Sequence, residues 1–216
     1  MYTPKAFEVT DVPMMHAAMR QSGLATLVTM TSGGLVATHL PLLVDETKGP
    51  YGTLTGHVSR ANLQWKDTAP EAEALIIFLG LDTYVTPNWY PAKQETGRVV
   101  PTWNYAAIHA YGHITFFEDT ERLRSVVTEL TKRHEAKFPA PWQVTDAPAA
   151  FIDAQLKAIV GFEFPILRLE GKQKFNQNRS LEDRMGVIEG LRGLQDEGKT
   201  QVAELMEEIE SRRKDV

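Results

Sequence analysis

Residues 56–62, Gly56-His57-Val58-Ser59-Arg60-Ala61-Asn62, place a hydroxyl, a guanidinium and an amide within one short turn. The segment before them alternates, with Thr53, Thr55 and His57 on one face and Leu54, Gly56 and Val58 on the other, the pattern of a strand. A helix starting at the turn would point its free N–H groups outward. Such a turn can hold a phosphate without a glycine-rich loop. Ser59 caps or donates, the planar Arg60 fork fits two oxygens, and Asn62 fixes the chain that bears the phosphate or the loop. The same residues also read as a capping serine beside a solvated arginine, and taken alone they leave both readings open.

A second stretch lies between Leu81 and Ala107. Tyr84-Val85-Thr86-Pro87-Asn88-Trp89-Tyr90-Pro91 and Val99-Val100-Pro101-Thr102-Trp103-Asn104-Tyr105 hold two of the four tryptophans and three of the six tyrosines. Their prolines and asparagines favour extended, non-helical backbone. These aromatics could wall a flat ligand. They could also form a hydrophobic corner of the barrel or a subunit contact, and composition alone leans toward one of these over a ligand wall.

Other patterns carry less. Residues 193–200, Gly193 to Thr200, satisfy the written form of a phosphate-binding loop, but a charged helix precedes them and Asp196 and Glu197 would repel a triphosphate, so they read as a link between helices. His109 and His113, two strand periods apart, could share a metal with His39 or His57, but nothing in the spacing makes them meet, and no metal site is assigned. His134 reads as a packing residue. The chain has no cysteine, which removes disulfides, thiolate nucleophiles and cysteine-rich metal sites, and no side-chain nucleophile motif is present. No catalytic residue is assigned.

The positioning elements follow from periodicity. A helix over residues 11–21, capped by Asp11, turns Met14, Met15, Ala18 and Met19 to one face. Strands are expected over 24–30, 35–44, 52–58, 74–79, 108–117 and 162–170, with a hairpin at residues 31–34. Helices are expected over 120–137 and 149–159, and in two pieces after Arg179. Consecutive antiparallel strands with short links suggest a barrel, giving a mainly β fold with peripheral helices (α+β). The division expected is a domain over residues 1–179 and an acidic helical extension over 180–216.

At 216 residues and 43% hydrophobic content the chain can bury a sizeable core. No apolar run is long enough to cross a bilayer, and the chain reads as soluble and cytoplasmic. Residues 180–216 hold six Lys/Arg against ten Asp/Glu, leaving 17 against 18 before them. Direct DNA binding starts from a deficit, because no basic stripe is present.

Five segments in order, Ala37-Thr38-His39-Leu40-Pro41, residues 56–62, Tyr84 to Tyr90, Val100 to Tyr105 and Lys174-Phe175-Asn176-Gln177-Asn178-Arg179, closely resemble the PaiB-like family of FMN-binding negative transcriptional regulators. That family lies within the flavin-binding split β-barrel superfamily, with the pyridoxamine-phosphate oxidases. The resemblance implies a homodimer with one FMN in each of two interface clefts. It implies that Ser59, Arg60, Asn62 and His57 lie at the phosphate grip, and that Thr38, His39, Leu40 and Pro41 run along the ring. Thr102, Trp103, Asn104, Tyr105, Lys174, Gln177, Asn178 and Arg179 would supply the remaining walls, some from the partner chain. The chain departs from the family at Leu63, where a proline is common, and at Phe175-Asn176, where leucine and serine are expected. Two functions are compatible with this: a regulator responding to flavin occupancy or redox state, and an FMN-dependent oxidoreductase acting on a small substrate. A flavin carrier with neither activity is a third.

Overall fold

A computed structural model describes residues 1–214; positions 215 and 216 of the expected acidic extension lie outside the described residues. The chain runs β1 (Glu8–Val9), α1 (Val12–Gln21), β2 (Ala25–Thr31), β3 (Gly34–Leu40), β4 (Leu43–Asp45), β5 (Thr53–Ser59), α2 (Gln64–Asp67), β6 (Ala74–Val85), α3 (Ala92–Thr96), β7 (Thr102–Gly112), β8 (Thr115–Phe117), α4 (Thr120–Glu135), α5 (Ala149–Leu156), β9 (Ile159–Lys174), α6 (Leu181–Gly193) and α7 (Glu197–Lys214). It is a mainly antiparallel β protein with peripheral helices, and its sheet is open, ordered β3-β2-β6-β7-β9-β5-β4.

The helix starts are chemically explicit. The Asp11 carboxylate accepts from the Met14 N–H at 2.9 Å, and Asp119 accepts from Arg122 N–H at 2.8 Å, each satisfying a donor that the first helical turn cannot. On α1 the buried face is Met15, His16 and Met19, while Ala18 is exposed, so the expected stripe is rotated toward His16. The expected strand over 35–44 is two strands, because the chain breaks at Pro41, which offers no N–H to a ladder. The strand expected over 108–117 begins at Thr102 and breaks at His113 and Ile114, while that over 74–79 continues to Val85.

Contacts divide the chain into two compact units. The larger comprises Asp11–Phe78 and Ile108–Glu170. In it β2 pairs with β3 in a tight hairpin, Thr31 opposite Gly34, and β5 pairs with β9 from Thr53↔Pro165 to Ser59↔Ile159. Its core includes Leu27, Leu54, Ile76, Phe162 and Phe164, all fully buried, and α4 adds Leu123, packed with Val144, Ile152 and Leu156. Gly56 is closely packed here: a Cβ would lie 2.6 Å from Leu42 Cδ2 and 3.2 Å from Leu40 Cδ1 and Phe162 Cζ, so those side chains would have to shift.

The smaller unit comprises Met1–Thr10, Leu79–Ala107 and Gly171–Val216. Its core joins Val85, Tyr90 and Phe175 to Val187, Ile188 and Leu191 of α6 and Val202, Ala203 and Met206 of α7. Inside it Arg184 and Glu210 form a largely buried ion pair at 2.7 Å. Residues 193–200 are a helix link, with the Asp196 carboxylate accepting from the Lys199 N–H at 2.9 Å.

Candidate functional site

The candidate residues fall into two sets, one in each unit. In the larger unit β5 carries His57 and Ser59 on one face and delivers the chain into a turn, where the Asn62 N–H donates to the Ser59 carbonyl at 2.9 Å. Ser59 does not cap α2: its hydroxyl accepts from the Ala61 N–H at 3.3 Å, whereas Leu63 stands at the helix start without a side-chain cap. Asn62 Oδ1 accepts from the Gln64 N–H at 3.1 Å instead.

Arg60 is more occupied than a solvated surface charge. Its Nε donates to the Lys157 carbonyl at 2.7 Å, Nη2 donates to the Ile159 carbonyl at 3.2 Å, and Nη1 meets the Glu118 carboxylate. The guanidinium also lies 5.8 Å from the Trp65 ring centre. Five donors with three partners leave two N–H groups for an external anion. Glu118, about half exposed, is the group that a phosphate would join or displace.

Thr38, Asn62 and Gln64 form a polar network. Asn62 Nδ2 donates to Thr38 Oγ1 at 2.9 Å, and that hydroxyl donates to Gln64 Oε1 at 2.5 Å. The buried Gln64 amide donates to Thr29 Oγ1 at 3.0 Å and the Val36 carbonyl at 3.2 Å. Thr38 is thus turned inward. His39, next along β3, faces the other way, its Nδ1 2.9 Å from Thr26 Oγ1. Leu40 is buried in the core and Pro41 is half-buried where β3 ends.

His57 is half-buried, and its Nδ1 has no hydrogen-bond partner among the described residues. Burial lowers its pKa below the ordinary 6.5, since desolvation disfavours the cation. The unfolded chain therefore takes up this proton first as pH falls. The contribution of neutral His57 to stability is complete above about pH 6.5 and is lost progressively below it. Urea midpoints should fall between pH 7.5 and 5.5, and less steeply for His57→Gln; equal slopes for the two proteins would rule His57 out as the source.

In the smaller unit, Lys174 Nζ donates to the Trp103 carbonyl at 2.5 Å and meets Thr102 Oγ1. Burial first, and the Lys172 charge second, hold the Lys174 ammonium below the ordinary lysine range. Lys172 lies 5.0 Å from the Tyr105 ring centre. Asn104 is fully buried with its Oδ1 unpartnered among the described residues. Gln177 closes its own loop, accepting from the Phe175 N–H at 2.6 Å and donating to the Gln173 carbonyl at 2.7 Å. Asn178 is exposed, and Arg179 lies 4.9 Å from the Tyr90 ring centre.

The departures at 175 and 176 have structural reasons. Phe175 is buried in the α6–α7 core. Asn176 adopts φ 63°, a left-handed conformation that asparagine tolerates, and its Nδ2 donates to the Tyr90 hydroxyl at 2.8 Å. The aromatic stretch divides: Tyr90 is a core residue, whereas Trp103 and Tyr84 are about half exposed and meet edge to face at 6.1 Å.

Each unit's set has its own chemistry: in the larger, two spare guanidinium N–H groups and a serine hydroxyl suit the phosphate of a flavin nucleotide, and in the smaller, an exposed indole and phenol suit a planar ring. No three His, Asp or Glu side chains gather as a metal site among the described residues, and His113 sits in the break after β7, out of register with His109. Sequence reasoning missed Gln64, Thr29 and Glu118. The first two were hidden because nothing in a sequence distinguishes a buried glutamine from a solvated one, and Glu118 because its partner is 58 residues away.

A family model described as "Putative FMN-binding domain" matches residues 1–168. A Bacillus subtilis (strain 168) protein named protease synthase and sporulation protein PAI 2 is 33% identical over 208 residues, covering 96% of this chain and 97% of that protein. An uncharacterised Aspergillus fumigatus protein is 34% identical over 239 residues, covering 90% and 92%. The FAD and heme binding protein from Mycobacterium smegmatis superposes with a TM-score of 0.58 at 15% identity, over 82% of this chain and 78% of that one. Flavocytochrome Anf3 from Azotobacter vinelandii gives 0.53 at 16%, over 78% and 69%. Likeness at these identities shows a shared fold, a split-barrel-like antiparallel sheet with flanking helices. With a family model spanning most of its length and a full-length bacterial relative, the chain belongs to the PaiB-like FMN-binding family, and FMN is the cofactor of its domain.

Proposed function

We propose that the protein works as an FMN-bearing homodimer that lowers transcription according to flavin occupancy or redox state. The observation that carries this reading is the outward face of β3, β2 and β6. Register places Met30 beside Leu35, Val28 between Ala37 and Leu75, and Thr26 between His39 and Ile77. Leu35 is 71% exposed and Met30 44% exposed. A three-strand apolar face left to water is unfavourable for a lone chain, and a second copy would cover it. The name of the Bacillus relative ties that protein to protease synthesis and sporulation, and we carry a regulatory role to this chain from that likeness.

Bound FMN supplies reversible one- and two-electron transfer. In this reading Ser59 and Arg60 anchor its phosphate, while the Thr38–Asn62 pair holds the turn in shape. Lys174 presents its ammonium beside Thr102 and Trp103. Contact with an operator through the tail is disfavoured, because Arg184, Arg192 and Arg212 each face a glutamate on α7. Repression would then pass through a partner protein.

The purified chain should show flavin absorption bands and sediment as a dimer. Arg60→Ala should weaken FMN binding about tenfold, the lower end for a charge-assisted contact, because Glu118 already shares the guanidinium. Glu118→Gln should keep or tighten binding. A colourless monomer, or unchanged affinity in Arg60→Ala, would sink the reading. Flavin bleached by reduced nicotinamide nucleotides and reoxidised by a substrate faster than by oxygen would make the protein an oxidoreductase instead.

A further inference from the structure

A cavity on the outer side of α4, within the larger unit, is used by none of the roles described above. The helix has two stripes. Leu123, Val126 and Leu130 are buried, whereas Arg124, Thr128, Thr131 and Lys132, at helical spacing, line a cavity of about 610 Å³. The opposite wall is Trp142, Val144 and Ala147 from the following loop and Ala149 and Ile152 from α5. That volume lies in the range of about 300–1,000 Å³ typical of small-molecule sites.

The lining has a definite chemistry. Its only charged residues are the two cations, in a chain of net charge −5. Arg124 is paired with Asp153, but Lys132 is exposed and has no carboxylate partner among the described residues. The Trp142 indole N–H and the Thr128 and Thr131 hydroxyls also lack hydrogen-bond partners there. Trp142 keeps 43% of its surface exposed. Val144 and Ile152 present aliphatic surface to the same space. A flat wall, an aliphatic floor, spare donors and an uncommitted ammonium together select one kind of molecule.

We infer that this cavity is a second small-molecule site, separate from the flavin site and independent of the regulatory reading, and that it takes an aromatic carboxylate. The ring lies against Trp142, Val144 and Ile152. The carboxylate meets Lys132 and accepts from the threonine hydroxyls, the polar part of the site fixing orientation.

Calorimetric titration of the full chain in saturating FMN tests this with 2-naphthoate and its neutral analogue 2-naphthalenemethanol. One naphthoate per chain is expected, with the alcohol about threefold weaker, as suits a partly exposed ion pair. Lys132→Gln should abolish that preference. Ala149→Phe, at an exposed position on the rim, should weaken both probes at least tenfold by filling the space. Absence of binding, equal affinity for the two probes, or full affinity in Ala149→Phe would each overturn the assignment. So would naphthoate binding only when FMN is omitted. Lys132 is exposed on the helix surface, so its variant decides the matter even where Ala149→Phe fails to fold.

Discussion

Gln64→Leu should destabilise the protein by about 2 to 4 kcal/mol, measured as a fall in the urea midpoint at constant m-value. Gln64 is 3% exposed, and its side-chain amide satisfies the Thr29 hydroxyl, the Thr38 hydroxyl and the Val36 carbonyl together. Leucine fills most of the volume and none of the bonds. The Thr29 and Thr38 hydroxyls would keep Thr68 and Asn62 as partners but each would lose a buried bond, and the Val36 carbonyl would lose its side-chain donor, so the polar groups of β2 and β3 would be left under-satisfied. The same substitution frees Thr38 from one of its two partners, so FMN affinity should fall together with stability. A loss below about 0.5 kcal/mol would mean that water enters and replaces the amide, and that the network does not hold the turn.

Gly186→Ala should cost about 2 kcal/mol, with the sign opposite to that of helix propensity. At an unhindered helical position alanine stabilises by nearly 1 kcal/mol relative to glycine. At Gly186, however, a Cβ would collide with the Trp89 carbonyl oxygen, and one turn later a Cβ at Gly190 would strike the Trp89 indole. The two glycines form a groove on α6 in which Trp89 sits. Backbone cannot yield as a flexible side chain does, so overpacking dominates. Gly193 is the internal control, because a Cβ there meets nothing within 4 Å. Gly193→Ala should be neutral or stabilising; a stabilising Gly186→Ala would show that α6 can shift away from Trp89 at little cost.

The fold was legible where local rules and tertiary needs agree. Alternation over residues 53–58, the two-residue hairpin at Ser32-Gly33 and the aspartate cap at 11 are all found, because each is set by neighbouring residues. Boundaries failed where a distant partner decides. Residues 80–85 extend β6 although Gly80 interrupts the pattern, and the apolar face of α1 turns toward His16 because its Nε2 reaches the Tyr51 carbonyl at 2.9 Å.

The candidate site was legible as residue types more than as roles. Ser59, Arg60 and Asn62 stand out by composition, but the carbonyls that hold Arg60 come from residues 157 and 159, about a hundred positions away. Period-2 reasoning predicts that Thr38 and His39 face opposite ways, yet a motif read as a string joins them. Gly186 and Gly190 gave no signal, since glycines within a charged helix look like weak points until the indole they admit is seen.

Tyr90 gives the smaller unit a mechanical property. Its ring is embedded against α6, its hydroxyl receives the Asn176 amide, and Arg179 stacks over it. The strand-to-helix segment that carries Lys174 is therefore tied to the tail by several contacts at once: Phe175 packs in the α6–α7 core, Asn176 and Arg179 meet Tyr90, and the Arg184 guanidinium of α6 meets the Arg179 carbonyl. Residues 174–179 and α6 thus form one packed block, and a displacement of either would carry the other with it.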